Sequence, residues 1–409
     1  MRDSHPWHLK NKFNVFLVAA RVATEFCVVL QAGGAEDVSM NGQWIGLYAG
    51  TNAGFVVADL DDAGTSYVGE IFVYDDNAGA PRILSRLDLP KGQSRLSFRG
   101  DAIHMERNSG EFLSQGDLAQ RFPGVHPSYS DAEWDIGPHQ IAFKWTTDIG
   151  THRAGQMQKS FGHTPSLLVP LHNVNSWNEF KAFVLGLGEP YRFAFRGQGD
   201  NTWRLRTAFH RTGRASLLRF MSQDIPALYR HLSGLTTHHF DLSNALDYAA
   251  FLNLAQHHGY PTPILDRTWS PFVAAYFAFR HVRKSDMTED RRVRVLILDA
   301  KQWNIDFQRA EVPMPGFLHM TVLEPLATDN PRAIPQQSIS TITNIDDLEH
   351  YISTRATAAR KTYLSAIDIP ASERRTVMQE LALMGITAGS LFPGLEGACL
   401  QLKERFFDL

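Results

Sequence analysis

Cysteine is nearly missing from this 409-residue sequence: Cys27 and Cys399 are the only two, near opposite ends. That excludes a disulfide framework and a Cys-rich zinc site, and it fits a reducing compartment. An excess of either charge sign is also missing, since 40 Lys and Arg face 43 Asp and Glu for a net charge of −3. A chain that binds phosphate backbones generally would carry a strong basic surplus. There is no internal repeat, no low-complexity tract and no coiled-coil heptad. Nor is there an unbroken apolar run long enough to cross a bilayer. The nearest approach is 13–34, FNVFLVAARVATEFCVVLQAGG, with Lys10 and Lys12 before it in the manner of a signal peptide. Arg21 and Glu25 interrupt it, and a span of about 20 apolar residues resists both charges. Residues 1–40 therefore read as a poorly defined extension, either an amphipathic helix or a segment upstream of a start at Met40. A signal or anchor is the alternative. The expected compartment is cytoplasmic, with no membrane partner.

What is present is an ordinary globular composition, 44% hydrophobic and 20% charged, of a length suited to two or three domains. Residues 41–155 are β-rich. WIGLYAG, FVVADLD, YVGEIFVYDD, SRLSFRG, AIHMER and IAFKWTTD are short alternating runs. Gly, Asn and Asp turns separate them, which predicts a small antiparallel barrel or sandwich. Trp44, Tyr48, Phe55, Tyr67, Phe72 and Trp145 are its expected core. No catalytic constellation stands out there, and His104, His126, His139 and His152 are scattered. Residues 156–170 read as a linker.

From 171 onward the pattern is mixed α+β. Ser176 followed three residues later by Glu179 predicts a helix start. Residues 191–196 form an alternating strand, and helices follow through 216–232 and 242–258 until Gly259 and Pro261 stop them. Residues 271–283 are apolar on nearly every face, the mark of a buried helix. Strands are expected at 293–299 and 338–343, and helices near 346–352 and 370–384.

The stretch YRFAFRGQGD, 191–200, turns within one residue from apolar strand to Arg196-Gly197-Gln198-Gly199. Such a strand end suits a polar ligand better than a core. Arg196 offers forked donors to phosphate or ribose oxygens, and Gly197 and Gly199 would let the backbone approach a ligand. The plainer reading pairs Arg196 with Asp266 or Asp299. Asp266 is a candidate acid, because Ser270, just before Pro271, is the better helix cap. His258 is a candidate polar site residue. His257 and His258 are adjacent and diverge on a helix, so they do not chelate a metal together, and no metal is expected. Within the apolar helix only Tyr276 is expected to see ligand. The basic group Arg280, Arg283, Lys284, Arg291, Arg292 and Arg294 reads as a solvated loop, with nucleic-acid contact as the alternative.

Four segments together resemble the FRG domain, which occurs widely in bacteria and phages. They are Phe195-Arg196-Gly197-Gln198, AQHHGYPTPILDRTWSPFVAAYFAF at 255–279, NPRAIPQQSIST at 330–341 and MGITAGSLFPGLEG at 384–397. The resemblance covers about 171–409. Two departures occur: Leu265-Asp266-Arg267-Thr268 stands where relatives commonly have Leu-Asp-Trp-Thr, and Ser338 follows the Gln pair where a glycine is common. Altered packing is expected from both.

The segment order is similar, more weakly, to that of ADP-ribosyltransferases. There an early-strand Arg or His, a Ser/Thr-aromatic stretch and a late-strand Glu or Gln follow one another, here Arg196, Thr268-Trp269-Ser270 and Gln336-Gln337. This likeness implies NAD as the ligand. Arg196 would grip it, Ser270 would hold a ribose hydroxyl, and Thr268, Gln198 and Gln336 would line the site. Tyr276 or Phe277 would stack on nicotinamide, and Gln337 would bond the ribose. Transfer chemistry usually needs a carboxylate where Gln337 stands, which leaves Asp266 as the nearest acid. The expectation is an NAD-type nucleotide-binding protein, extending to an ADP-ribosyltransferase toxin or defence effector, whose β domain meets a macromolecular target or senses a trigger. The alternatives are a non-catalytic module for nucleic acid or protein, and a hydrolase using Asp266 and His258.

Overall fold

The computed structural model describes residues 39–307, 310 and 316–408. The apolar run at 13–34 and Cys27 lie outside the described residues.

The first nine strands are β1 (Gly42–Gly50), β2 (Gly54–Asp62), β3 (Ser66–Asp75), β4 (Arg82–Pro90), β5 (Arg95–Asp101), β6 (Ile103–Met105), β7 (Tyr129–Ile136), β8 (Gln140–Thr147) and β9 (His152–Lys159). They form one antiparallel sheet in the order β5-β7-β8-β9-β1-β2-β3-β4-β6. The sheet curls until β5 returns beside β4, where Ser85 Oγ donates to the Asp101 carbonyl at 2.6 Å, so the barrel is nearly closed. A short helix, α1 (Gln115–Arg121), interrupts the strands after β6. Strand β9 continues into the stretch read as linker because Met157 is part of the barrel core.

Two-residue alternation sends Trp44, Tyr48, Tyr67 and Trp145 inward. Phe55 and Phe72, also expected inside, point outward and pack with Val57, Tyr74, Leu84 and Met105 against Leu218 and Leu318 of the second domain. Both faces of β2 and β3 are thus buried, and an apolar residue on either parity looks the same in sequence.

The second sheet comprises β10 (Phe193–Gln198), β11 (Ile264–Thr268), β12 (Arg292–Asp299), β13 (Met320–Leu323), β14 (Ser338–Thr343) and β15 (Leu364–Pro370). Its order is β13-β14-β11-β10-β12-β15, antiparallel throughout. The longer helices among the described residues are α2 (Trp177–Leu185), α3 (Ile225–Leu232), α4 (Ala245–His257), α5 (Pro271–Phe279), α6 (Ala300–Asp306), α7 (Leu348–Ala359), α8 (Arg374–Leu383) and α9 (Leu395–Lys403). Strand β12 shows the layering. Val293, Val295 and Ile297 face α2, α5 and α8, while Leu296 and Leu298 face Trp303 of α6 and Leu348 and Ile352 of α7. Ser176 caps α2, accepting from the Glu179 amide at 3.3 Å. Arg294, read as part of a solvated basic loop, is instead buried and forked onto Asp368 at 2.7 and 2.9 Å.

Carboxylates on the outer barrel face fasten the two domains. Asp61 is fully buried and accepts from the Ala215 and Ser216 amides at 2.7 and 3.1 Å and from Arg214 Nε at 2.9 Å. Glu70 lies 2.9 and 2.8 Å from Ser216 Oγ through its two oxygens. Gln43 bridges Asp59 and the Asn344 carbonyl at 2.9 and 2.8 Å. Burial raises the Glu70 carboxyl from 4.5 to about 7 and holds Asp59, its cross-strand neighbour, well above the usual range. The folded chain therefore keeps a proton on Glu70 that the unfolded chain has released, and stability falls as pH rises from about 4.5 to about 7. A shift of that size corresponds to about 3 kcal/mol at most. Urea midpoints between pH 5 and 8 should fall less steeply in Glu70→Gln than in the parent chain. An unchanged slope would mean that Glu70 is ionised throughout.

Candidate functional site

Strand β10 ends at Gln198, and its neighbour β11 pairs with it at Phe195 and Thr268. Past that single pair, Arg196 and Arg267 are the adjoining residues of the two strands, near enough for the charge of one to act on the other. Like charges facing each other across a sheet repel, and no described carboxylate forms an ion pair with either. Arg196 donates through Nη1 to the backbone carbonyl of Asp266 at 2.6 Å, and its Nε is buried without a partner. Arg267 is 3% exposed. Its Nε donates to Thr341 Oγ1 at 2.8 Å, while both terminal nitrogens are buried without partners. Burial, and then the charge of Arg211, pushes the Arg196 guanidinium down to about 10. Burial, and then Arg196 itself, pushes Arg267 down to about 9. Of the carboxylate partners considered for Arg196, Asp299 takes Arg192 at 2.8 Å, while Asp266 accepts from Arg196 through its backbone carbonyl and its carboxylate acts on the guanidinium by charge without an ion-pair contact.

These groups line a cleft of about 1000 Å³, at the upper end of small-ligand sites. Its walls come from the connector at 162–165, the loop 199–206, the end of α4, strand β11, one side of α5 and the turn at 332–338. Three further arginines on the wall are neutralised: Arg204 by Asp347 at 2.7 Å, Arg206 by Asp346, and Arg332 by Glu396 at 2.6 Å. Arg196, Arg211 and Arg267 are left against one lining carboxylate, Asp266. Asp266 Oδ2 accepts from Gln256 Nε2 at 3.2 Å, and its Oδ1 is buried without a donor. Gln198 Oε1 is also buried and without a donor. Phe277 lines the cleft from α5, and Trp203, 55% exposed, stands at the loop side.

Of the residues expected at the site, Arg196, Gly197, Gln198, Asp266, Thr268 and Gln336 meet around this one space, and His258, Ser270, Tyr276 and Gln337 do not. Gly197 turns its α-hydrogen side to α5. A Cβ there would sit 1.9 Å from the Ala274 carbonyl oxygen, so the glycine admits a helix rather than a ligand. Thr268 Oγ1 donates to the Gln336 carbonyl at 2.7 Å and accepts from the Ser270 amide at 3.0 Å. Gln336 Nε2 holds the Leu391 carbonyl at 3.0 Å. Ser270 caps α5, accepting from the Val273 amide at 3.2 Å. Tyr276 is fully buried in the α5–α8 core, and its hydroxyl donates to Glu404 at 2.9 Å; one residue along the helix, the exposure passes to Phe277. Gln337 is an exposed turn residue with φ of 47°, and it meets Trp269 through its backbone carbonyl. His258 is exposed at the C-cap of α4, so its pairing with Asp266 for hydrolysis has no support in this geometry. His257 lines the cleft instead, bonded through Nδ1 to Asn330. Arg267 was visible in the sequence only as a departure from a pattern. A lone arginine in an apolar strand carries no signal of what lies across from it.

Residues 191–287 match the family model of the FRG domain. The chain carries an FRG domain. The match holds β10, β11 and α5, and with them Arg196, Asp266 and Arg267. The FRG-like segments at 330–341 and 384–397 lie outside the matched span, although Gln336 and Phe392 complete the same cleft. No curated protein matches the chain. Among solved structures, a redesigned beta barrel covers 31% of this chain and 99% of its own at a TM-score of 0.22 and 10% identity. A second redesigned barrel, bound to DFHBI, covers 29% and 94% at 0.20 and 11%. Among the described residues, no helix is long and apolar enough to cross a membrane, and no cluster of His, Cys, Asp and Glu is placed to hold a metal ion.

Proposed function

We propose that the FRG cleft binds a phosphate-bearing nucleotide of the NAD⁺ type. The observation that carries the reading is the pair of guanidiniums, Arg196 and Arg267, buried together without an ion-pair partner among the described residues and sharing a single lining carboxylate, Asp266. Buried cations are costly unless paired, and a diphosphate would supply the charge and the acceptor oxygens for both forks. Trp203 and Phe277 offer ring faces to a base or to nicotinamide.

On this reading Asp266, the one lining carboxylate, faces the positive charge that develops at the ribose anomeric carbon. The bond from that carbon to nicotinamide breaks, nicotinamide leaves with the bonding electrons, and an acceptor nucleophile forms the new bond and gives up its proton. ADP-ribose transfer of this kind is the chemistry of a toxin or defence effector. A second reading, binding without turnover, is favoured by Asp266 already accepting from Gln256 and by the absence of a carboxylate at 336–338.

Calorimetry with NAD⁺ and a non-hydrolysable analogue should give one-site binding in the parent chain and none in Arg196→Ala. Absence of binding in both would remove the proposal. Incubation with NAD⁺ and cell lysate separates the two readings: free nicotinamide supports transfer, and binding without nicotinamide release supports the recognition module.

A further inference from the structure

The barrel is filled at one end and hollow at the other. Trp44, Leu60, Leu89, Ile141 and Met157 close the first end and are almost completely buried. At the second end the inward positions of β4, β5 and β7 carry Ser85, Gly100, Ser130 and Ala132, too small to meet across the lumen. A cavity of about 300 Å³ remains there. Val73, Phe98 and Trp145 point into it from three strands and are the partly exposed members of the barrel core. Val125 and Ile149, 79% and 39% exposed, sit at its mouth. Small barrels either fill their interior with side chains or hold one small ligand, and an apolar lumen left half empty sacrifices packing.

Among the polar residues on its wall, which include Asp75, His126 and Thr151, one is a buried cation. Arg153, on the inner face of β9, is nine-tenths buried. Its Nη1 donates to Thr151 Oγ1 at 2.9 Å, and its Nη2 lies 3.6 Å from Asp75. Its Nε is buried with no acceptor among the described residues. Asp75 balances the charge, so the site asks for an acceptor atom rather than a strong anion.

We infer that the barrel lumen is a second ligand site, separate from the FRG cleft. It takes a flat one- or two-ring aromatic molecule bearing an acceptor oxygen for Arg153 Nε. The rings lie against Phe98, Trp134 and Trp145, and the volume, at the lower limit of small-molecule pockets, sets the size.

The test uses the full chain and 6-acetyl-2-(dimethylamino)naphthalene, a neutral two-ring fluorophore with a carbonyl acceptor, read by fluorescence. A saturable one-to-one rise with an increase in melting temperature is expected. Arg153→Met should weaken binding about tenfold or more, and 2-(dimethylamino)naphthalene, which lacks the carbonyl, should bind both chains equally. Ala132 lies between Phe98 and Trp145 on paired strands, so Ala132→Phe should abolish the signal; Ser130→Leu provides a milder filling should that variant fold poorly. Arg196→Met should leave the signal intact, which separates the lumen from the cleft. A non-saturable rise, or binding unchanged by Arg153→Met and by the filling variants, would overturn the inference.

Discussion

Replacing Arg267 by Met should raise the melting temperature of the ligand-free chain while weakening NAD⁺ binding at least about tenfold. A structural arginine behaves in the opposite way, since its loss leaves a buried acceptor or carboxylate unpaired and destabilises the fold. Here only Thr341 Oγ1 loses a donor, and the fold sheds a guanidinium that repels Arg196. Replacing a buried ion pair by apolar volume is neutral or stabilising by up to about 4 kcal/mol, and removal of an unpaired buried guanidinium should act in the same direction. For a domain of this size that corresponds to roughly 2–4 °C per kcal/mol in melting temperature. Binding should move the other way, because hydrogen bonds to charged groups contribute about 1.5–3 kcal/mol each. Arg196→Lys should lose more, about 100-fold, since an ammonium keeps the charge but cannot hold the Asp266 carbonyl and fork onto a phosphate at once. Scanning calorimetry and titration calorimetry on the same three proteins give both signs. A lower melting temperature in Arg267→Met would assign that residue to the scaffold.

Gly197→Ala should cost more stability than any cleft substitution. The new methyl would meet the Ala274 carbonyl oxygen at 1.9 Å and the Ala278 amide nitrogen at 2.6 Å. Both are backbone atoms of α5, so the helix itself must lift from β10. That opens the core formed by Val273, Ala274, Ala278 and Phe279, and losses above about 4 kcal/mol accompany disruption of this kind. Gly199→Ala, two residues on, meets nothing closer than 3.6 Å and should change stability little. Urea unfolding of the two variants measures the contrast. Equal midpoints would show that α5 does not press on β10 as described.

The residues that sequence reading placed well are those whose role is local. Ser270 caps α5 because serine suits the N-cap and the proline after it suits the first helical position, and Ser176 caps α2 in the equally local pattern of serine followed three residues later by glutamate. Arg196 stood out because its polarity breaks an aromatic strand. The residues misread are those whose role depends on the strand or helix across from them. Gly197 looked like a ligand-approach glycine, and only the position of α5 makes it a packing glycine. Tyr276 and Phe277 are neighbours on a helix apolar all round, where no moment indicates which side is open. Phe55 and Phe72 alternate as interior residues would, but a second domain covers the outer face of their strands. Strand β15 went unread in the gap before the expected helix at 370–384, because its residues, LSAIDIP, are buried on both faces and show no two-residue alternation of polarity.

The most direct test of the twin-guanidinium site is a crystal structure of the full chain with NAD⁺ or ADP-ribose. The expected result places diphosphate oxygens within about 3.2 Å of both guanidiniums, on the nitrogens of Arg196 and Arg267 that have no protein partner. A ligand seated elsewhere, or either arginine turned onto a protein carboxylate with the cleft unoccupied at saturating nucleotide, would contradict it.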